Sequence, residues 1–417
     1  MPSVWAAGRS LAAEYTGFER AVYIVGAGQF VNVFGGGVVY PFAALYFVET
    51  VGLPFSLIGA GLLANSVFRA VGTAIGGYLA DRVGRVPTMV ASMALSAIAL
   101  SAYALVTTVP AFVVVASAAG LVGGLYTPAS HALVADLTTG GERERAYGLL
   151  KVANNVGFGL GFVAGGLLFG LAKTAVFIVD GATSGVVAVL LYLALEHAEP
   201  SRSGATLREE FTRWVGAVGE PRLVHLAVLN VGFAVLYAQM QSTVPVFASR
   251  AFDLSSAQLG TLYVLNPLVI VLFQLPVVAR VARWRRTRGL ALSTGFWAAS
   301  FGAIILAHYT SVLLGIALVG VFLVLRTIGE VLHSPLATAL ASDLGPAETS
   351  GSQLSVVEIS KRLGFGAGNL VGGAFFDYGI EPWLWPTMLA LAMGIALGVL
   401  ALERRLSPVE NGLPAGG

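Results

Sequence analysis

Arg326, Glu330 and His333 stand inside a long apolar run, separated by four and then three residues. That spacing puts all three on one face of a helix. Ionisable groups in hydrocarbon are costly, so they face a cavity or a partner. A buried carboxylate resists ionisation, which suits Glu330 to loading a proton on one side of a barrier and releasing it on the other. The Arg326 guanidinium favours the charged carboxylate, and moving it away would trigger protonation. The alternative is a static Arg326–Glu330 pair that satisfies itself. His333 is the histidine best placed to relay a proton, against the alternative of a neutral hydrogen-bonded ring. Glu358, Lys361 and Arg362 share a second helical face. Glu358 is a further proton-coupling candidate, whereas Lys361 and Arg362 are expected to snorkel to the membrane surface. Arg69 lies 12 residues before Asp81, roughly 18 Å along a helix, which is past the middle of a core about 30 Å thick. Asp180, near the outer end of its span, is expected at the interface.

Amides inside apolar runs are the other polar candidates: Gln29, Asn32, Asn65, Asn230, Gln239, Gln241, Asn266 and Gln274. Buried amides need partners, and a bond between helices serves that need as well as a ligand does. Gln29, Asn32, Gln239, Gln241 and Asn266, with Arg69, are the candidates for a small-molecule cavity. Tyr40, Tyr126, Tyr237 and Tyr263 are expected to face lipid for the most part, with an aromatic cavity wall as the alternative.

The elements that position these groups are membrane helices. The chain has 417 residues, 56% hydrophobic and 11% charged, with a mean hydropathy of +0.81. A soluble domain carries about 25% charged residues, so an integral membrane protein is expected. A crossing helix needs about 20 apolar residues. Twelve such runs lie near 20–48, 56–79, 88–107, 110–134, 146–170, 174–196, 222–249, 256–280, 289–307, 311–334, 352–376 and 382–402. The polar segment 197–221 separates residues 1–196 from 222–403, six spans from six, and 404–417 form a tail. Leu207–Val218 is read either as an amphipathic surface helix or as plain linker. Counting alternate loops, one side gathers Arg82, Arg85, Arg143, Arg145, Arg285 and Arg286 among many cations, whereas the other holds Lys173 and Arg250. Short cytoplasmic loops are rich in Lys and Arg, so both termini are expected in the cytoplasm.

Composition also excludes function classes. A net charge of +2 gives nucleic-acid binding no support, and the absence of cysteine removes disulfide and thiolate-metal chemistry. The five histidines are scattered. No nucleophile–base pair, metal-ligand pattern or nucleotide-binding loop suggests an enzyme, no cofactor is expected, and residues 1–20 lack the apolar core of a signal peptide.

The two halves repeat. A shift of 207 places residues 157–166 on 364–373, Pro128 on Pro335 and Asp136 on Asp343; a shift of 201 places Asn65 on Asn266, Arg82 on Arg283 and Arg85 on Arg286. The exceptions inform: Ala119, Gly123 and Tyr126 correspond to Arg326, Glu330 and His333, and Lys151, Asn154 and Asn155 to Glu358, Lys361 and Arg362. The second half therefore carries intramembrane charge that the same helices of the first half mostly do without.

The turn Gly77-Tyr78-Leu79-Ala80-Asp81-Arg82-Val83-Gly84-Arg85, between two apolar runs, resembles the G-x-L-A-D-R-x-G-R loop of the major facilitator superfamily, departing at Val86 where the family often has a cation. The resemblance implies an all-α fold of two six-helix halves. It also implies a substrate site near midplane and alternating access through rocking of the halves. It further implies a cytoplasmic gate of Gly77, Asp81, Arg82, Gly84 and Arg85, with Asp81 at the start of span 11 and Arg82 or Arg85 on Asp136. Gln239-x-Gln241-x-x-x-Pro245, Asn266 with Gln274-x-Pro276, and Gly329-Glu330-x-x-x-x-Pro335 resemble its drug:proton antiporter branch. That implies proton-coupled efflux of amphipathic small molecules by a monomer in the cytoplasmic membrane. Phe162 stands where that branch often has a proline, and Arg69, Arg326, Lys361 and Arg362 suit an anion. Uptake or exchange of an organic anion therefore stays open, as does a non-transporting receptor or lipid-handling protein.

Overall fold

The computed structural model describes residues 17–138, 141–195, 219–281, 284–344 and 350–412; within them the chain is helical, with no strand. In order, the helices are α1 (Arg20–Val39), α2 (Phe55–Arg82), α3 (Arg85–Ala102), α4 (Val109–Gly124), α5 (Tyr126–Leu137), α6 (Gly141–Leu171) and α7 (Ala175–Ala194), then α8 (Pro221–Gln239), α9 (Thr243–Phe252), α10 (Ser256–Tyr263), α11 (Leu265–Val281), α12 (Arg286–His308), α13 (Val312–Asp343), α14 (Ser350–Asp377) and α15 (Glu381–Glu403). Short helical turns at Ala43–Leu45 and Tyr46–Thr50 continue α1. Leu207–Val218 and Arg283 lie outside the described residues.

Among the described residues, eleven helical stretches are long and apolar enough to cross a membrane. α14 is not among them because Glu358, Lys361 and Arg362 interrupt its apolar run; its 28 residues still span roughly 42 Å at 1.5 Å per residue. The helices are apolar nearly all round, as helices solvated by lipid are. Leu171, Leu313 and Ile98 are 86%, 81% and 70% exposed on the outer surface, and hydrocarbon is the solvent that removes that cost.

Helix ends follow local chemistry. Ser255 and Gln258 form a reciprocal capping box at the start of α10. Gly84 adopts φ +110° between α2 and α3, a conformation closed to most L side chains. The loop therefore needs this glycine on backbone grounds. Gly77 is different: a Cβ there would meet nothing within 4 Å.

The internal repeat reappears in the contacts. α1 and α8 both stop and restart at a matching break, residues 40–42 and 240–242. Asn65 of α2 donates to the Ala116 carbonyl of α4 at 2.8 Å, and its counterpart Asn266 of α11 donates to the Thr327 hydroxyl of α13 at 2.8 Å. Arg85 pairs with Asp136, and Arg286 with Asp343 at 2.5 Å.

Helices from the two parts of the chain meet at the end that carries Glu49. α2 packs along α14, and α6 along α10. Gly59 abuts the Leu370 backbone and Gly373 that of Phe55, while Gly166 and Gly260 face each other across the second seam. Small residues allow such backbone approach. Arg250 reaches Glu49 at 3.2 Å across the same end. At the opposite end, Arg85–Asp136 and Arg286–Asp343 each stay within one part of the chain. Residues 407–411 dock there: the Glu410 carboxylate accepts from Arg222 at 2.6 Å, and the Asn411 side chain accepts from the Thr287 amide at 3.0 Å.

Candidate functional site

Closure at the Glu49 end leaves a chain of three cavities between the helices. The first, of about 420 Å³, is lined by Gln29, Asn32, Tyr40, Asn65, Arg69, Tyr103, Tyr126, Asp180, Gln241, Asn369 and a phenylalanine wall that includes Phe47, Phe112, Phe158 and Phe177. The second, of about 520 Å³, shares Gln29, Tyr126 and Thr127 with the first and adds Lys151, Asn154, Tyr237, Gln274, Glu330 and Lys361. The third, of about 190 Å³, shares Tyr237, Glu330 and Lys361 with the second and reaches His333 and Glu358.

Glu330 is the pivot between the second and third cavities. One carboxylate oxygen accepts from Arg326 at 2.5 Å and the other from the Tyr237 hydroxyl at 3.2 Å. The Arg326 guanidinium lies 3.9 Å from the centre of the Tyr237 ring, a cation–π contact that gains strength when desolvated. The Arg326 side chain is 1% exposed and that of Glu330 23%, so the carboxylate is the wetter partner. Nε and one terminal nitrogen of Arg326 have no hydrogen-bond partner. The helix backbone is held as well: the Trp297 indole donates to the Arg326 carbonyl at 2.9 Å. Gly329 lets that indole approach, because a Cβ at this position would overlap it. His333 packs its ring 4.0 Å from that of Phe233, and Glu358 pairs with Arg362 at 2.9 Å.

The cavity candidates divide. Gln29, Asn32, Arg69 and Gln241 line the first cavity. Gln29 also donates to Asn154 at 3.1 Å, and the Gln241 carbonyl oxygen is buried without a partner. Gln239 and Asn266 do not belong with them. Gln239 is fully buried and donates to the Val235 and Gly368 carbonyls at 2.9 and 3.0 Å; Asn266 is committed to Thr327. Both tie helices together, and neither lines any of the three cavities. Lys361 does not snorkel away from the interior as expected, since it stands on the walls of the second and third cavities. The tyrosines do not face lipid either: Tyr40 and Tyr126 line the first cavity, Tyr237 binds Glu330, and Tyr263 donates to the Met240 carbonyl at 2.5 Å.

At the Asp81 end, Arg85 pairs with Asp136 and donates to the Ala132 carbonyl at 2.8 Å. Arg82 lies over the Tyr78 ring, 5.1 Å from its centre. Asp81 forms no hydrogen bond or ion pair among the described residues. The start of α14, where its capping role was expected, adjoins residues 345–349, outside the described residues.

Asp180 and Asn369 are cavity residues as well. Asp180 is not interfacial: it is 6% exposed and lines the first cavity. The signal was available, because Asp180, Ser184, Val187 and Leu191 form one buried helical stripe. Asn369, 1% exposed with both amide atoms unpartnered, lines the same cavity. It stands where the repeat has Phe162, the kind of exception that singled out Glu330.

Comparison with known proteins agrees with this architecture. The family model described as Major Facilitator Superfamily matches residues 25–361 and again 229–417, and the chain belongs to that family. The chain is therefore a multi-pass membrane protein of a transporter family and not an enzyme. It is 24% identical over 398 residues to the uncharacterized MFS-type transporter YttB of Bacillus subtilis, covering 94% of this chain and 98% of that one. It is 24% identical over 390 residues to the multidrug resistance protein MdtH of Cronobacter sakazakii, covering 90% and 93%. Among solved structures, a peptide transporter POT in complex with sulfate superposes with a TM-score of 0.80 at 17% identity, covering 97% of this chain and 99% of that one; this likeness concerns the fold.

Proposed function

We propose that the chain is a proton-coupled exporter of amphipathic small molecules, working by alternating access in the cytoplasmic membrane. In this reading twelve spans form two six-helix halves, 1–196 and 222–403, with the linker 197–221, the tail and both termini in the cytoplasm. α14 supplies the span whose charges interrupt its apolar run. The working unit in this reading is a monomer. The first cavity takes the substrate, with Gln29, Asn32, Arg69 and Gln241 on its wall. Asp81, Arg82, Gly84, Arg85 and Asp136 form the cytoplasmic gate, which is open where the Glu49 end is closed.

The observation that carries the reading is Glu330, a carboxylate on a cavity wall inside a membrane helix, held by one cation and one phenol. Protonation removes the charge that holds Arg326 and frees the guanidinium, and deprotonation recaptures it. That is a two-position element whose balance a proton biases. Arg326 is its counter-ion, and His333 and Glu358 are secondary proton-coupling candidates at the far cavity. The resemblance to multidrug resistance proteins supports efflux.

Uptake or exchange of an organic anion is the second reading, favoured by Arg69, whose guanidinium has no acidic partner in ion-pair contact among the described residues. Protein in liposomes holding a pH-sensitive dye separates the two readings. Export predicts proton movement against an added lipophilic cation or other amphiphile, lost in Glu330→Gln while binding persists. Proton movement together with an organic anion would replace antiport by symport. Unchanged uphill transport by Glu330→Gln would remove this residue from the coupling step.

A further inference from the structure

Arg69 and Asp180 place a cation and an anion on the wall of one cavity of about 420 Å³, yet no Arg69 nitrogen comes within 4.0 Å of the Asp180 carboxylate. Each is spared a local partner. The Thr183 hydroxyl beside Asp180 donates to its backbone carbonyl at 2.8 Å, and among the described residues no donor reaches the carboxylate. Gly35 leaves it room, since a Cβ there would stand 2.8 Å from Oδ1. The Arg69 guanidinium lies against Gly123, 3.0 Å from where a Cβ would be. Gly123 is the repeat counterpart of Glu330, so the first half has a glycine where the second half has the acid that satisfies its arginine.

Unpaired buried charges of both signs are costly to maintain. A ligand that carries both complementary charges satisfies both at once. On the wall of the same cavity, Asn369 presents an amide donor and acceptor with no partner among the described residues, the pattern that an amide group in the ligand would meet. Tyr40, Phe47, Phe112 and Phe177 line the same cavity and supply aromatic contact.

We infer that this cavity binds an apolar zwitterion, its anionic group toward Arg69 and its ammonium toward Asp180. The inference names the substrate class for the transporter reading and rests on that reading, but its test needs binding alone, with no gradient and no role for Glu330. Loss of coupling in Glu330→Gln therefore bears on the transport reading without touching the order of affinities.

The experiment is calorimetric titration of the full chain in lipid nanodiscs at about pH 7.2, where an α-amine is still mostly charged. Three matched probes are used: phenylalanyl-phenylalanine, its C-terminal amide, which is only a cation, and its N-acetyl derivative, which is only an anion. The dipeptide is expected to bind roughly ten-fold more tightly than either, the scale of one charge-assisted hydrogen bond. Asp180→Asn should erase its advantage over the N-acetyl form, and Arg69→Gln its advantage over the amide. Equal binding of the amide and the dipeptide by the unaltered chain would make this a cation site and overturn the inference. Equal binding of the N-acetyl form and the dipeptide would make it an anion site, with the same result. Binding of none of the three also overturns it. The comparison on the unaltered chain stands even where a variant fails to fold.

Discussion

The Asp377 carboxylate caps a helix from the other part of the chain: one oxygen accepts from the Phe55 amide at 2.8 Å, and the other from the Ser56 amide at 2.7 Å. These are orphan donors of the first turn of α2, where a negative charge is favoured. The contact lies at the closed end of the cavity chain. Its geometry is that expected for Asp81 and the start of α14 at the opposite end, with the two helices exchanging roles.

Asp377→Ala is expected to weaken the closure by about 1 kcal/mol, the cost of a lost cap, which is roughly five-fold in population. The chain has no cysteine, so one introduced at Leu62, on the wall of the first cavity, reports without background. Impermeant maleimide applied from the Glu49 side should label Leu62→Cys faster when Asp377→Ala is present. An unchanged rate would mean that the cap is decoration on a closure held by the helices alone.

Arg326→Met should be far more harmful than the double replacement Arg326→Met with Glu330→Gln. Removing one partner of a buried pair costs about 3 kcal/mol or more, whereas removing both is close to neutral. The discount for the partly wet Glu330 leaves the order intact. Thermal unfolding in detergent measures both, and equal losses would show that Arg326 stabilises through Tyr237 and Trp297 rather than through Glu330.

Gly329→Ala drives a methyl group into the Trp297 indole. Overpacking of this kind costs about 1–3 kcal/mol, and it falls one residue from Glu330. Lower thermal stability, partly restored by adding Trp297→Phe, is the expected result. A fully stable Gly329→Ala protein would show that α12 and α13 can part without cost.

Acid should release the docked tail. The side-chain hydrogen bond from Arg222 holds the Glu220 carboxyl below its usual range. For Glu410, burial pulls upward, but hydrogen bonds from the Ser407 amide and hydroxyl, with the Arg222 cation, outweigh it and the net shift is downward. Depressed acids stabilise above their unfolded value of about 4.3 and lose that contribution as pH falls through the folded value. Hydrogen exchange at residues 405–411 should therefore accelerate as pH drops below about 4, after correction for the intrinsic rate. Glu410→Gln should accelerate it at neutral pH.

Apolar runs of sufficient length made the membrane helices legible, and the Gly77–Arg85 turn made the family legible. The Arg326–Glu330 contact followed from a spacing of four residues within one helix. What one chain does not encode locally is which side of a helix meets a cavity. Gln239 ends α8 and Gln241 lies in the break that follows it; one is spent on the Gly368 carbonyl, and the other opens into the first cavity. Distance from a helix end points Asp180 to the interface, whereas the buried stripe it shares with Ser184 and Leu191 turns it inward. Lys361 stands on cavity walls; a cavity offers a cation solvation as the membrane surface does, and sequence does not distinguish the two.

The seams at the Glu49 end are made of backbone: Gly59 on Leu370, Gly373 on Phe55, Gly166 facing Gly260. Immobilising a long side chain costs up to about 2 kcal/mol of rotamer freedom, and glycine has none to surrender. Where glycine meets backbone these surfaces part and rejoin with no side chain to order, and the cost of each closure falls on the aromatic pairs Phe55–Phe376 and Phe162–Tyr263. Polar contacts at the margin, Asp377 on α2 and Arg250 on Glu49, add to the balance between open and closed, which makes it adjustable by single substitutions at the rim of the closure.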